Sequence, residues 1–333
     1  MLGVGLIGAG GVAKNHISAW LKLENATVVA VADADPKRAK EAAAALGITR
    51  WTTDYLQLLG WDGVDAVDIC TTEATHGRIA SDAAGAGKHV LVEKPIATTL
   101  EDSDRIILAA HNAGVRLMVA HTYHFYDHSV SAKEVIDSGD IGDPVYVRFS
   151  AGGGFWRQDW GGNRISPSDT GGNVVTNGVH ATDLCNWWIG ARPISVYAQA
   201  QNITSSHLEM DDYFMITIKY DSGAIAVVDL SRANVPRSAQ WASITILGTD
   251  GEITTGGQRD TQFVHNDEGL RTFGLDIQHG FDREIAAFVS CVLDRTTPPV
   301  TGEQGRIALE MCLAAEESIR TGEVVAMGAD NVS

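Results

Sequence analysis

Positive charge is scarce in this chain of 333 residues: 25 lysines and arginines stand against 42 aspartates and glutamates, a net charge of −17. Nucleic acids and anionic membranes bind through clustered Lys and Arg, so neither is expected as a partner. Cysteine is sparse as well. The four present (Cys70, Cys185, Cys291 and Cys312) lie too far apart for a disulfide framework or a metal-ligand spacing, and are read as reduced and buried. No group of His, Cys and Asp has ligand spacing, so no metal is expected. No apolar run reaches the about 18 residues that a membrane span needs. The first strand starts at once, so no signal peptide is expected. Internal repeats and low-complexity tracts are lacking too. These absences point to a cytoplasmic protein. The length and a hydrophobic fraction of 44% allow two domains with real cores.

What is present begins at Gly3–Ala13. Val4–Ile7 is a short apolar run, followed at once by Gly8-Ala9-Gly10-Gly11-Val12-Ala13. This is a G-x-G-x-x-A pattern between a strand and a helix. Gly8 serves the tight turn, Gly10 lets the backbone approach a pyrophosphate, and Ala13 permits close helix–strand packing. The helix N-terminus, from Gly11 and Val12 onward, offers N–H groups and a positive dipole end to phosphate. A second apolar run, Val28–Ala32, ends on Asp33, where a carboxylate can bind an adenosine ribose. That carboxylate also repels a 2′-phosphate, which favours NAD over NADP, although Lys37 and Arg38 nearby soften the preference.

The first 121 residues alternate apolar runs with helical segments. Val4–Ile7, Val28–Ala32, Val64–Cys70, Val90–Val92 and Val115–Ala120 suit strands buried on both faces of a parallel sheet. Helices are predicted over Pro36–Leu46, Thr75–Gly87 and Thr99–Gly114, the last with Thr99 as its N-cap. The order predicts a doubly wound α/β domain over 1–121. The remainder, 122–333, reads as an α+β domain with an open, mainly antiparallel sheet. Its signals are a helix at Ser131–Ser138, strands at Val145–Ser150, Val196–Gln201, Tyr213–Tyr220, Ala224–Leu230 and Ala242–Leu247, and a final helix at Gln304–Thr321. Asp221-Ser222-Gly223 is a hairpin signal. Ala151–Asn173 has no periodicity and is loaded with Gly, Trp, Asn, Asp and Arg, as functional loops are.

Two groups could carry chemistry. Glu93-Lys94-Pro95 follows a buried strand, at the end where open α/β sheets bind ligands. A lysine partly desolvated there suits proton transfer from a hydroxyl. On the residues alone, Lys94 reads rather as a surface lysine at a strand end. The second group is Asn173, Thr176, Asn177, His180 and Asp183, whose spacing of three to four puts them on one helical face. Thr176 or Asn177 is the expected N-cap, which sets His180 in the first turn, where the dipole keeps it neutral. A structural hydrogen-bonding histidine fits the same pattern.

Gly8-Ala9-Gly10-Gly11-Val12-Ala13, Gly87-Lys88-His89-Val90 leading to Glu93-Lys94-Pro95, and Gly178-Val179-His180 with Asp183 resemble the Gfo/Idh/MocA family of NAD(P)-dependent sugar and polyol oxidoreductases. Gly248-Thr249-Asp250-Gly251 adds weaker support, and the likeness spans nearly the whole chain. The resemblance implies a Rossmann domain and a second domain whose open sheet serves dimerisation, with homo-oligomers up to tetramers. It further implies that Lys94 takes part in proton transfer and orients the substrate hydroxyl, with His180 beside it. Thr71, His76, Glu93 and Lys94 fall where the family contacts the nicotinamide side of the cofactor.

The chain departs from that pattern in three places. Thr71-Thr72-Glu73 stands for Thr-Pro-Asn, His124-Phe125 for an Arg-Phe pair, and Thr176 for an Asp four residues before the histidine. A threonine cannot act as a carboxylate base, so more of the work falls to Lys94 and His180, and a substrate different from those of the inositol dehydrogenases is expected. Substrate contacts are expected from Trp156, Arg157, Asp159 and Trp160 on the long loop, from Asn173, Thr176 and Asn177, and from Tyr123, His124 and Tyr126; packing of the loop onto the sheet or a place in a subunit interface fits the loop residues equally well. Aromatic faces and polar side chains are what sugars require. The expected activity is hydride transfer between NAD(H) and a sugar, sugar derivative or polyol. The alternatives are a glycosidase using transient oxidation by NAD and a catalytically inactive nucleotide-binding sensor.

Overall fold

The computed structural model describes residues 1–152, 170–204, 210–232, 241–255, 261–274 and 280–328. Trp156 and Arg157, with Asp159 and Trp160, lie outside the described residues. The chain divides into two compact units, Met1–Thr122 with Gly280–Leu309, and Tyr123–His279 with Glu310–Ser333. The expected cut after residue 121 had placed Gly280–Leu309 with the second domain.

The first unit holds a six-stranded parallel sheet. Its strands are β1 (Leu2–Ile7), β2 (Ala26–Ala32), β3 (Trp51–Thr52), β4 (Ala66–Ile69), β5 (His89–Glu93) and β6 (Leu117–Ala120), in the order β3-β2-β1-β4-β5-β6. Val4, Leu6, Val31, Val67, Ile69, Val90, Leu91 and Val119 are all buried, as strands covered on both faces require. The connections are α1 (Ala13–Trp20), α2 (Pro36–Ala45), α3 (Tyr55–Leu59), α4 (Glu73–Gly85) and α5 (Leu100–Ala113). Thr99 caps α5 by accepting from the Asp102 N–H, with Glu101 and Asp102 in its first turn, and Gly114 closes it in the left-handed region at φ 65°. Val64–Cys70 shortens to β4, while β3 and α3 were not foreseen. The returning segment covers the β6 edge. There the Val300 carbonyl accepts from the Val119 N–H at 3.2 Å. Gly302 comes so near Leu117 that a Cβ on it would lie 2.7 Å from that side chain.

The second unit opens with α6 (Asp127–Asp137) and β7 (Pro144–Gly152), and resumes at α7 (Val179–Ile189). Strands β8 (Pro193–Gln201), β9 (Tyr213–Tyr220), β10 (Ile225–Ser231), β11 (Trp241–Gly248), β12 (Gly251–Thr255), β13 (Thr261–Asn266) and β14 (Gly269–Gly274) follow. After α8 (Gly280–Leu293) of the first unit comes α9 (Gly302–Thr321), which passes from one unit into the other at Leu309, and then β15 (Val325–Ala326). The sheet order is β14-β13-β12-β11-β7-β10-β9-β8-β15. Among the described residues of this sheet, only β7 and β10 pair parallel. Along β9, Phe214, Ile216, Ile218 and Tyr220 are buried while Met215 and Lys219 are exposed, the alternation of a sheet with one covered face. Asp221-Ser222-Gly223 makes the expected hairpin, with Gly223 at φ 90° and its N–H on the Tyr220 carbonyl at 3.0 Å.

The expected N-cap at Thr176 or Asn177 is not what starts the helix. Val174–Gly178 is a π-helical turn that runs straight into α7, and Gly178 at φ −62° and ψ −32° carries no side-chain cap. The Thr176 N–H already bonds the Gly172 carbonyl at 3.0 Å. The helical path therefore begins upstream, at Gly171 (φ 78°) and Gly172 (φ 93°), whose left-handed backbones break the preceding chain. His180 thus stands in the second turn of a continuous helical stretch, away from the free N–H groups invoked for it.

Candidate active site

In the first unit the glycine turn lies where strand order reverses between β1 and β4, the switch point at which open sheets bind ligands. Gly8 has φ 91°, and a Cβ there would sit 2.6 Å from the Cys70 backbone at the end of β4. Only glycine fits so close an approach. A Cβ on Gly10, in contrast, meets nothing within 4 Å among the described residues. Gly11 is exposed, Val12 heads α1 with no side chain capping it, and Ala13 is buried against the sheet. Asp33 follows directly on β2 and is buried, at 9% exposure. Its Oδ2 accepts from the Ala9 N–H at 2.7 Å, and its Oδ1 from the Asp35 N–H at 2.8 Å and from Arg38 Nε at 3.2 Å. A carboxylate can accept about four hydrogen bonds, so a ribose hydroxyl still finds an acceptor here.

The neighbouring strand ends are tied together by histidine. Buried His76 sets Nδ1 2.8 Å from the Pro95 carbonyl and Nε2 3.2 Å from that of Thr71. The Thr71 hydroxyl accepts from that of Thr75 at 2.8 Å. The Lys94–Pro95 peptide is cis. The Lys94 N–H donates to Glu93 Oε2 at 3.0 Å, and Lys94 itself is half-buried.

Behind Glu93 lies an ionisable cluster that sequence reasoning missed. His16 of α1, fully buried, places Nδ1 3.1 and 3.0 Å from the two oxygens of Asp68 and Nε2 3.1 Å from Glu93 Oε1. Trp20 Nε1 donates to Asp68 Oδ2 at 2.7 Å, and Cys70 Sγ to Asp68 Oδ1 at 3.5 Å. A histidine facing carboxylate oxygens with both nitrogens donates twice only as imidazolium. Burial opposes that charge, but Asp68 and Cys70 outweigh it and hold His16 well above the ordinary histidine value. Glu284 of α8 shifts in the same direction, which for a carboxyl favours the neutral form: burial, against the pull of His16 and with the push of Glu93, raises it well above the usual range. The only spatial group of His, Cys and acidic residues with metal-like proximity among the described residues is His16, Asp68 and Cys70, and it is this hydrogen-bonded core. The signal available in the sequence was a lone histidine three residues beyond Ala13.

The second unit gathers the remaining candidates. His180 lies face to face with Tyr123, whose ring also meets Tyr126 edge-on at 5.5 Å. Next along the chain, His124 Nε2 is 2.5 Å from Asp183 Oδ2 and stacks on Trp187 at 4.2 Å. Residues 123 and 124 thus hold one face of α7, the stripe His180, Asp183 and Trp187. Asn173 is buried, with Nδ2 donating to the Asp211 carbonyl at 2.8 Å and Oδ1 accepting from Asn177 Nδ2 at 2.8 Å. Asn177 Oδ1 in turn accepts from Arg232 Nη2 at 2.9 Å. Arg232, not foreseen, is desolvated enough that its guanidinium lies below the ordinary arginine value, with Tyr123 opposing. The Thr176 hydroxyl donates to the Thr170 carbonyl at 3.1 Å.

A glycine turn at the switch point of a sheet in this order marks a nucleotide-binding fold of the doubly wound class, here followed by a separate α+β unit. Two family models match the chain. One, described as the oxidoreductase family with an NAD-binding Rossmann fold, covers residues 2–121, and the other, the GFO/IDH/MocA C-terminal domain, covers residues 130–254. The chain is 30% identical over 319 residues to the scyllo-inositol 2-dehydrogenase (NAD(+)) of Bacillus subtilis, spanning 93% of this chain and 90% of that protein. It is 27% identical to the myo-inositol 2-dehydrogenase of Thermotoga maritima, spanning 95% and 96%. A crystal structure of an oxidoreductase from Agrobacterium radiobacter, in complex with NAD+, L-tartaric acid and magnesium, superposes with a TM-score of 0.89 at 25% identity, covering 98% of each chain. The protein belongs to the GFO/IDH/MocA family.

Proposed function

We propose that this protein is an NAD-dependent dehydrogenase or reductase acting on a CH–OH carbon of a sugar, sugar derivative or polyol. The observation that carries the reading is the half-buried Lys94 at the carboxyl end of β5 in a sheet whose switch point holds the Gly8 turn. The fit to a dinucleotide rests on two features: the space beside Gly10, which any side chain would fill, and the acceptor capacity of Asp33. Gly8, Gly10, Gly11, Val12 and Ala13 would hold the pyrophosphate, and Asp33 the adenosine ribose. Thr71, His76, Glu93 and Lys94 would flank the nicotinamide, which when bound takes up or returns a hydride.

The protein's own part is to orient the substrate and to move one proton. Lys94 receives the hydroxyl proton on oxidation and returns it on reduction, and His180 is the second residue proposed for that work. Thr176 contributes no carboxylate base. Asn173 and Asn177, joined in the amide chain that ends on Arg232, are proposed substrate contacts, and Tyr123, Trp156 and Arg157 are proposed with them. The relatives named as inositol 2-dehydrogenases support net redox turnover over transient oxidation or a silent sensor.

No helix among the described residues is long and apolar enough to cross a membrane. A cytoplasmic location and a homodimer or homotetramer complete the reading. Support for the oligomer comes from the outer sheet face, where Tyr197, Met215 and Ile225 stand exposed and, through their cross-strand partners, share one side. The test of function is a screen of monosaccharides, inositols and keto-sugars with NAD and NADP, followed by nicotinamide absorbance. Turnover that disappears in Lys94→Ala while NAD binding persists supports the reading. Wild-type protein inactive across the panel sinks it.

A further inference from the structure

The turn that carries Lys94 is gripped from both flanks by buried imidazoles. On one flank His76 holds the Pro95 carbonyl; on the other, His16 holds Glu93 Oε1, while Glu93 Oε2 holds the Lys94 N–H. The two carboxylate oxygens of Glu93 therefore do separate jobs, and one of them depends on a side chain that belongs to α1. Asp68 fixes the other face of the same ring, and it is itself pinned by Trp20 and Cys70. Phe281 of α8 covers the ring at 5.4 Å, beside Glu284. A salt bridge needed only for the fold has no reason to end on the residue preceding the proposed proton-transfer lysine. An apolar core of the same volume would serve the fold at least as well, since burying ions is costly.

We propose that His16 is a positioning residue for Lys94, acting through Glu93: by holding one oxygen of that carboxylate it keeps the other on the Lys94 backbone N–H and so fixes the strand end from which the ammonium projects. This rests on the role given to Lys94 above. It adds that the helix heading the dinucleotide turn and the lysine four strands' worth of chain later are mechanically coupled through a charged ring. Misplacement of a reacting group by about 1 Å costs on the order of 100-fold in rate, so a loosened turn should be visible in kcat.

The experiment uses the full-length protein in three variants: His16→Gln, Glu93→Gln and Lys22→Ala. Lys22 pairs with Asp282 at 2.6 Å on the surface of the same α1–α8 contact and serves as the control for that packing. Two readouts are taken, amide hydrogen exchange over the peptide containing residues 93–96 and steady-state kinetics at saturating NAD. The expected result for His16→Gln is exchange at the Lys94 amide faster by roughly tenfold while the β1 and β2 amides stay protected. Its kcat should fall roughly 10- to 100-fold with KM changed less than about threefold. Glu93→Gln, which keeps volume and packing, should do the same and carries the test if His16→Gln does not fold. Lys22→Ala should move neither readout. Unchanged exchange at residues 93–96 in a folded Glu93→Gln protein overturns the inference. So does a loss of protection spread evenly over the sheet, because that marks a role in stability alone. Turnover persisting in Lys94→Ala brings down the functional reading instead, and is recognised because the local exchange effect survives it.

Discussion

Tyr123 lies over the imidazole of His180 with ring centroids 4.3 Å apart and planes inclined by 17°. Stacking at that distance fixes the plane of the histidine without using either nitrogen, which leaves its hydrogen-bonding edge to be aimed by the helix. Aromatic pairs of this kind contribute about 0.5–1.5 kcal/mol beyond their buried area. Replacing Tyr123 by Leu should therefore lower kcat/KM on the substrate found in the screen by about tenfold, whereas Tyr123→Phe should stay within about threefold. Equal losses in the two variants would mean that the hydroxyl, and not the ring face, is what matters.

Arg38 and Asp33 make the cofactor preference adjustable. The guanidinium Nε sits 3.2 Å from Asp33 Oδ1 and 3.8 Å from Asp35 Oδ2, held by carboxylates at the place where a 2′-phosphate would otherwise find it. Asp33→Ser removes the charge that repels the phosphate and frees the arginine to bind it. The ratio of kcat/KM for NADP to that for NAD should rise by roughly tenfold or more, about 1.4 kcal/mol in differential binding. Measuring both cofactors on one substrate checks it, and adding Arg38→Ala to Asp33→Ser should take the gain away.

The contrast between those two pairs shows what could be read in advance. Asp33, the glycine turn and Lys94 are local signals: each sits at a fixed place relative to an apolar run, and β1, β2, β4, β5 and β6 announce themselves by short, mostly apolar runs. His16 meets Asp68 and Glu93, 52 and 77 residues away, and only the sheet order brings those strand ends to α1. No spacing encodes that. The two-residue β3 and five-residue α3 are too short to show a period. In α8 the buried Ile285, Phe288, Val289 and Val292 do have helical spacing, but spacing does not say which of two cores a helix joins. The start of the helical stretch was misplaced for a related reason. Thr176 and Asn177 look like caps, yet the left-handed Gly171 and Gly172 had already turned the chain, so both residues spend their side chains on Thr170 and Asn173.

Glu316 should give the fold a measurable pH dependence. Burial, then the nearby Asp211, raises its carboxyl from the ordinary 4.5 to about 7, partly offset by the Val174 N–H. The native state thus holds this proton more tightly than the unfolded chain does. Below about pH 4.5 the group is neutral in both states and costs nothing. Between that and pH 7 the unfolded chain ionises first and stability falls; above pH 7 the loss is complete. At about 1.4 kcal/mol per pH unit the ceiling is about 3 kcal/mol, and partial exposure brings it to about 1–2 kcal/mol. Glu316→Gln keeps an acceptor for Val174 and removes the slope. Denaturant melts at pH 5 and pH 8 should show the variant and the wild type alike at the lower pH, and the variant more stable at the higher one. A constant difference across that range would mean that Glu316 does not titrate there.

Gly8 and Gly10 belong to one turn yet should fail in opposite ways when enlarged. Gly8 has φ 91°, and a methyl group there collides with backbone atoms of Cys70 at 2.6 Å and with the Thr71 nitrogen at 2.8 Å, none of which is the end of a flexible side chain. Gly8→Ala should therefore lower stability by about 2–4 kcal/mol, through strain at a positive φ and displacement of the β4 end. A methyl group on Gly10 meets nothing within 4 Å among the described residues, so Gly10→Ala should melt within about 0.5 kcal/mol of the wild type. If the space beside Gly10 is where a pyrophosphate approaches the backbone, the same substitution should weaken NAD binding by roughly tenfold or more, about 1.4 kcal/mol. Calorimetric titration with NAD on both variants, beside their melting curves, separates the two effects. A Gly10→Ala protein that binds NAD as tightly as the wild type would place the cofactor somewhere other than this turn.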